Sequence, residues 1–219
     1  WATLLGGFPE RSRIVDEAYA LAQSHVAAAR QKANLDLRMR ALASLRRFLA
    51  WFPNSSWADE VDWTLLSLIQ EFGSVKGGID ARAAEGLVGE AGRFLARYPD
   101  SPYADEAQHA LLIGFYTLGN FDEAMKAGDA LLTREYPNDA GVRQPSPYRD
   151  AAHYLLGKVF HVKGDLAKAV EHYKQSTVGD ARDSLLFLTS KGLTLPETTY
   201  FGEKDGLSLA VSAKNLPEA

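Results

Sequence analysis

Cysteine is missing from all 219 residues. That absence removes disulfides, thiolate zinc sites, covalent haem attachment and every mechanism with a cysteine nucleophile. Long apolar runs are also lacking. None approaches the roughly 20 residues a helix needs to cross a bilayer, so the chain is not expected to span a membrane by itself. No block of Lys and Arg is long enough to track a phosphate backbone, and the net charge of −4 comes from interspersed signs. Nucleic acid is therefore not an expected partner. Phosphate-binding, His-Glu-x-x-His and Gly-x-Ser-x-Gly signatures do not occur. The five histidines, His25, His109, His153, His161 and His172, include no pair four residues apart, which leaves packing or surface roles. No metal, cofactor or enzymatic activity is expected, and there are no candidate catalytic residues.

What is present is repetition. Phe48-Leu-Ala-Trp-Phe-Pro-Asn-Ser-Ser-Trp-Ala-Asp-Glu60 returns as Phe94-Leu-Ala-Arg-Tyr-Pro-Asp-Ser-Pro-Tyr-Ala-Asp-Glu106, 46 residues later. A degenerate third copy follows at an offset of 45, from Tyr136-Pro-Asn through Ser146-Pro-Tyr-Arg-Asp150. Self-similar units of this size stack into extended surfaces that hold other macromolecules. An apolar content of 46% is ample for a core.

Apolar residues at helical spacing, punctuated by Gly, Pro, Asn, Asp and Ser, predict helices near 12–31, 36–51, 56–72, 80–97, 102–118, 121–135, 147–162, 165–177 and 180–190. These are expected to fold as antiparallel pairs. Ser101 is placed to cap a helix, Pro102 suits its first position, and Asp105 and Glu106 favour the positive end of the dipole. Gly119 and Gly164 mark the tight turns between paired helices. Small residues such as Gly157, Ala124 and Ala169 mark close helix approaches.

At these positions the chain resembles the tetratricopeptide repeat family, whose helix-turn-helix unit is about 34 residues long. From Asp105 the matching positions are Leu111, Leu112, Phe115, Gly119, Phe121, Ala124 and Tyr136-Pro137; from Asp150 they are Leu156, Gly157, Phe160, Gly164, Leu166, Ala169 and Tyr173. The unit from Asp59 diverges, with a turn lengthened over Ser74 to Asp80, and Asn138 to Pro145 forms another long loop. The Phe-Leu-x-x-Tyr-Pro-Asp-Ser-x-Tyr-Ala-Asp-Glu-Ala wording is similar to that of bacterial envelope repeat proteins, such as the outer-membrane assembly lipoprotein and the Tol-Pal-associated coordinator. The resemblance implies a periplasmic or envelope-associated scaffold, peripheral to a membrane complex at most, with other proteins as partners.

The architecture expected is an all-α solenoid of antiparallel helix pairs ending in a short C-terminal β-hairpin. Residues 1–55 form an N-terminal capping pair, 56–192 the repeats and 193–219 the extension. In the extension, Thr198 to Phe201 and Leu207 to Ala213 have strand composition around a Gly202 to Gly206 turn. This segment weakly resembles the opening of a macroglobulin-type β-sandwich, which implies an alternative reading, the N-terminal structural arm of a large multidomain surface protein continuing into β-sandwich modules. The start at Trp1 rather than Met is that expected of a processed protein or a piece of a longer one.

Seven residues are candidate partner contacts: Trp57 at an inter-repeat junction, Gln108, Leu112 and Thr117 on the first helix of one unit, and Arg149, His153 and Lys158 on the first helix of the next. The first helices are expected to line the concave face. Trp57 has two readings, a ring filling the wedge between units or an exposed anchor for a partner. Arg38, Arg40, Arg46 and Arg47 form either a solvated face or a contact for acidic groups.

Overall fold

The computed structural model describes residues 9–32, 34–75, 78–194 and 212–214. Among these, nine helices follow one another: α1 (Pro9–Gln31), α2 (Leu35–Trp51), α3 (Ala58–Phe72), α4 (Ala81–Arg97), α5 (Ala104–Thr117), α6 (Phe121–Thr133), α7 (Arg149–Val162), α8 (Leu166–Lys174) and α9 (Gly179–Thr189). Each packs chiefly on the next in chain order. The result is an all-α, solenoid-like stack of helix pairs.

The core is correspondingly distributed along the stack. Ala22, Val26, Leu45, Phe48, Val61 and Leu65 join α1, α2 and α3. Leu66, Leu87, Phe94 and Ala107 join α3, α4 and α5. Leu112, Leu131, Ala152 and Val159 continue through α5, α6 and α7, and Ala169, Tyr173 and Ala181 tie α8 to α9. Every layer is thus shared between a pair and its neighbour, and no pair buries its apolar face alone.

Turn chemistry closes the pairs. Gly119 (φ +74°) and Gly164 (φ +81°) adopt the left-handed backbone that reverses the chain between α5 and α6 and between α7 and α8. Gly157 is required for a different reason. A Cβ there would lie 2.6 Å from the Tyr173 ring, so only glycine lets α8 pack this closely on α7.

The joints between pairs depart from expectation. Ser101 is not the cap of α5, which begins at Ala104 after Tyr103. Its hydroxyl instead accepts the Tyr103 N–H at 3.3 Å and donates to Asp59 Oδ2 of the preceding unit at 3.2 Å. Ser146 repeats both bonds, to Tyr148 N–H at 3.1 Å and Asp105 Oδ2 at 3.2 Å. Ser176 accepts the Val178 N–H and donates to the Asp150 carbonyl, while Thr177 caps the Asp150 carboxylate. The serine three places before α5, α7 and α9 therefore locks its turn and reaches back one unit, whereas Ser55, three places before α3, has no side-chain partner. The same turn ends α8 at Lys174, earlier than the predicted 177, and identifies α9 as the first helix of a fourth unit.

Two expected loops carry short antiparallel strands. β1 (Ser74–Val75) pairs with β2 (Gly78–Ile79), which inserts Ile79 into the core. β3 (Glu135–Pro137) pairs with β4 (Arg143–Pro145), around Asn138 accepting the N–H groups of Ala140 and Val142. Strand β3 also cuts α6 short of its predicted end at 135. At the carboxyl end β5 (Gly192–Thr194) pairs with β6 (Ser212–Lys214). The predicted strand Thr198 to Phe201, the Gly202 to Gly206 turn and most of Leu207 to Ala213 lie outside the described residues.

Candidate interaction surface

The first helices α3, α5 and α7 touch one another directly as well as through their partners, whereas α4, α6 and α8 have no contact of that extent with each other. The closer approach puts the first helices on the inner side of the stack. Along each of them, half-exposed residues recur at the third, sixth, tenth and thirteenth positions, one stripe at helical spacing. The stripe reads Glu60, Trp63, Ser67, Gln70 on α3; Glu106, His109, Ile113, Tyr116 on α5; and Ala151, Tyr154, Lys158, His161 on α7.

Stacked rings carry this surface from unit to unit. Tyr19 stacks on Trp57 with centroids 4.3 Å apart, Trp63 on Tyr103 at 4.5 Å and His109 on Tyr148 at 4.7 Å. In each case a ring from one first helix lies on the aromatic residue that precedes the next. Carboxylates finish the contact: Trp57 Nε1 donates to Asp16 at 2.9 Å, Trp63 Nε1 to Glu106 at 2.7 Å and the Tyr19 hydroxyl to Glu60. Burial raises the Glu106 carboxyl while the Trp63 donor holds it down. Burial lowers His109 to about 4, so its ring is neutral and stacks as an aromatic. Farther along, the Lys158 ammonium sits 4.7 Å from the Tyr116 ring centroid and 5.4 Å from that of Tyr154, a cation held between rings of two units.

These positions sort the candidate contacts. Lys158 lies on the stripe, Thr117 adjoins it at the end of α5, and Arg149 is exposed at the start of α7. Trp57 is half-buried in its stack on Tyr19, with its indole N–H engaged, which is the wedge-filling arrangement. Leu112 must be corrected: it is fully buried in the α5–α7 core and has no surface to offer. Gln108 is likewise buried, its amide donating to the Ala127 carbonyl at 3.2 Å. His153 turns towards the second helix of its own pair, where its Nδ1 meets His172 Nδ1 at 3.1 Å. Gln108 and His153 occupy the fifth position of their helices, about 120° round from the centre of the stripe. Trp63, His109 and Tyr154 are not among the expected contacts, although all three carry rings at one repeat position.

On the other side of α3 lies a cleft of about 530 Å³. Arg46 and Leu49 of α2, Asp62 and Leu65 of α3, and Glu90, Arg93, Ala96 and Arg97 of α4 line it. Arg93 and Arg46 both pair with Glu90, the latter at 3.6 Å, so the predicted arginine cluster contributes one contact to an acidic group. Burial, then the charge of Glu90, raise Asp62 to about 6 against the opposing pull of Arg97 and Arg93.

Among the described residues no three His, Asp or Glu side chains are grouped to hold a metal ion. No described helix is long and apolar enough to cross a membrane. Neither a protein-family model nor a curated protein matches the chain.

Proposed function

We propose that this chain is a non-catalytic, tetratricopeptide-like scaffold or accessory subunit that holds other proteins of a larger assembly along its first helices. The observation that carries the reading is the stripe crossing α3, α5 and α7, where Tyr116, Tyr154 and Lys158 from two units form one continuous patch. Aromatic residues at a rigid, partly exposed surface bury much area at low entropic cost. Its repeat wording favours an assembly of the bacterial envelope, peripheral to the membrane. Affinity capture from the source organism, with the wild-type chain and with Tyr116→Ser/Lys158→Glu, tests this. A partner set retained by the wild type and lost from the variant is the expected result; an unchanged set refutes the assignment to the stripe. Fractionation of the source cells tests the compartment.

A second reading, a structural arm leading into β-sandwich modules, is favoured by the β5–β6 pairing that follows α9. Limited proteolysis of residues 1–190 with and without the tail separates the two. A tail protected in isolation belongs to the solenoid, and one cleaved at once belongs to a further module.

A further inference from the structure

Asp62 is the one member of a repeated row that its own pair leaves unsatisfied. The fifth position of the first helix is Asp62 in α3, Gln108 in α5 and His153 in α7. Gln108 is closed by the Ala127 carbonyl of α6 and His153 by His172 of α8. Asp62 is 9% exposed, yet no hydrogen bond or ion pair within 4 Å reaches it from the described residues. Two arginines act on its charge, Arg97 and Arg93, and Arg93 is paired with Glu90, which also holds Arg46. Arg97 donates to the Pro53 carbonyl and lies over Tyr98. A buried carboxylate without a donor is costly, and here it lines a cleft open to solvent.

The cleft has three chemically distinct zones. Asp62 and Glu90 are its buried acids, Leu49, Leu65 and Ala96 give apolar walls, and Arg97 joins Arg46 and Arg93, whose side chains are 57% and 69% exposed and so mark its outer side. A ligand that reaches Asp62 meets an unshared negative charge beside apolar walls. One that stays on the outer side meets positive charge. We propose that the cleft receives a lysine side chain of a partner protein, its ammonium on Asp62, its methylenes along Leu49, Leu65 and Ala96, and an acidic neighbour on Arg46 and Arg93. Lysine fits better than arginine, because one unpaired carboxylate, with Glu90 already engaged by two arginines, matches a point charge rather than a two-pronged guanidinium. This deepens the scaffold reading and rests on it, since it adds a second contact on the opposite side of α3 from the stripe.

The test uses the full chain with ¹³C-carboxyl aspartate and follows the Asp62 resonance. Its probes are acetyl-Glu-Lys-Glu-amide, acetyl-Glu-Gln-Glu-amide and n-butylammonium chloride. The lysine peptide should saturate the Asp62 signal and move its titration to lower pH. The glutamine peptide, and the lysine peptide on Asp62→Asn followed by calorimetry, should each bind at least tenfold more weakly, the effect of one charge-assisted hydrogen bond. Equal binding of both peptides, indifference to Asp62→Asn, or no binding at about 10 mM would overturn the proposal. Butylammonium binding as tightly as the lysine peptide would overturn a protein segment as the source, in favour of a free amine. The Gln-peptide comparison needs only the wild-type chain, so it decides the matter even if Asp62→Asn folds poorly. Failure here leaves the stripe variants Tyr116→Ser/Lys158→Glu to judge the scaffold reading, because those residues do not line the cleft.

Discussion

Replacing Asp62 with asparagine should stabilise the protein at neutral pH, and the size of the gain follows from its surroundings. Burial and Glu90 raise this carboxyl from its ordinary 3.8 to about 6. The folded state therefore holds the proton more tightly than the unfolded chain. The stability tied to that proton is fully present below pH 3.8 and is lost as pH rises through 6. At 1.36 kcal/mol per tenfold, ionising Asp62 costs the fold at most about 3 kcal/mol at pH 7, less by whatever water in the open cleft screens. Asparagine keeps the shape of the neutral acid and cannot ionise. The two proteins should match near pH 4 and diverge by up to about 3 kcal/mol by pH 7.

Urea denaturation at half-unit steps from pH 4 to 8 reads the difference directly. With a slope of about 2 to 3 kcal/mol/M, the variant's midpoint should rise by on the order of 1 M at pH 7. Four charged groups face Asp62: Arg46 of α2 and Glu90, Arg93 and Arg97 of α4. Of these only Glu90 is an acid, so the window of divergence belongs to Asp62 and its interaction with Glu90. Parallel curves across pH 4 to 7, or a variant less stable at pH 7, would refute the claim that burial of this carboxylate outweighs the pull of Arg97 and Arg93.

Three further perturbations address the rest of the stack. His109→Phe should have the opposite pH signature: burial lowers His109 to about 4, so wild-type stability is full above 6.5 and falls by about 3 kcal/mol towards pH 4, and the variant, which keeps a ring on Tyr148, should show a flatter acid limb in the same urea series. Gly157→Ala should destabilise by about 1 to 3 kcal/mol because its Cβ meets the buried Tyr173 ring, whereas Gly89→Ala, with open space around it, should gain about 0.5 to 1 kcal/mol; thermal melts of the two will separate a packing glycine from an idle one. Ser146→Ala should cost about 1 to 3 kcal/mol by stripping bonds from Asp105 and Tyr148 N–H, whereas Ser55→Ala should be near neutral, since the Ser55 hydroxyl is buried with no partner.

The contrast between Ser55 and Ser146 shows what a reader of the sequence can reach and what escapes. Residue spacing exposed the helix pairs, because apolar stripes and Gly turns are local signals: the predicted 80–97 and 121–135 correspond to Ala81–Arg97 and Phe121–Thr133. The Ser-x-Tyr-x-Asp wording was equally visible, but the role first given to Ser101, a cap on its own helix, follows from local preference alone. Its actual partner, Asp59, lies 42 residues away in sequence, and only stacking brings it near. For Ser55 the residue at the equivalent of Asp59 in the preceding helix is Val15, which cannot accept a hydrogen bond. The candidate surface failed for the same reason. Gln108, Leu112 and His153, chosen from the first helices, all lie on the side turned towards the core or the second helix of the pair, and which side is inner is decided by the next pair. A stricter comparison of equivalent positions would have singled out Trp63, His109 and Tyr154, whose shared ring character is the signal of a stacked seam.

That seam bears on function as well as stability. The joints at Ser101 and Ser146 each combine a Ser–Asp bond in the turn with a ring stack beside it, and Trp63 and His109 of those stacks lie on the stripe proposed to meet partners. The groups that fix one pair against the next are therefore the groups that shape the surface. A partner laid along α3, α5 and α7 would meet side chains whose rotamers are already held by neighbours: Trp63 by Tyr103 and Glu106, His109 by Tyr148, Lys158 between two tyrosines. Little ordering entropy remains to be lost on association. In a stack where stability is a sum over neighbouring units, loosening one joint should blur the surface on both sides of it while leaving distant units intact. Weakening the Asp105–Ser146 joint should therefore impair capture through Tyr116 and Lys158, which the two joined helices carry, more than binding at the cleft lined by Asp62.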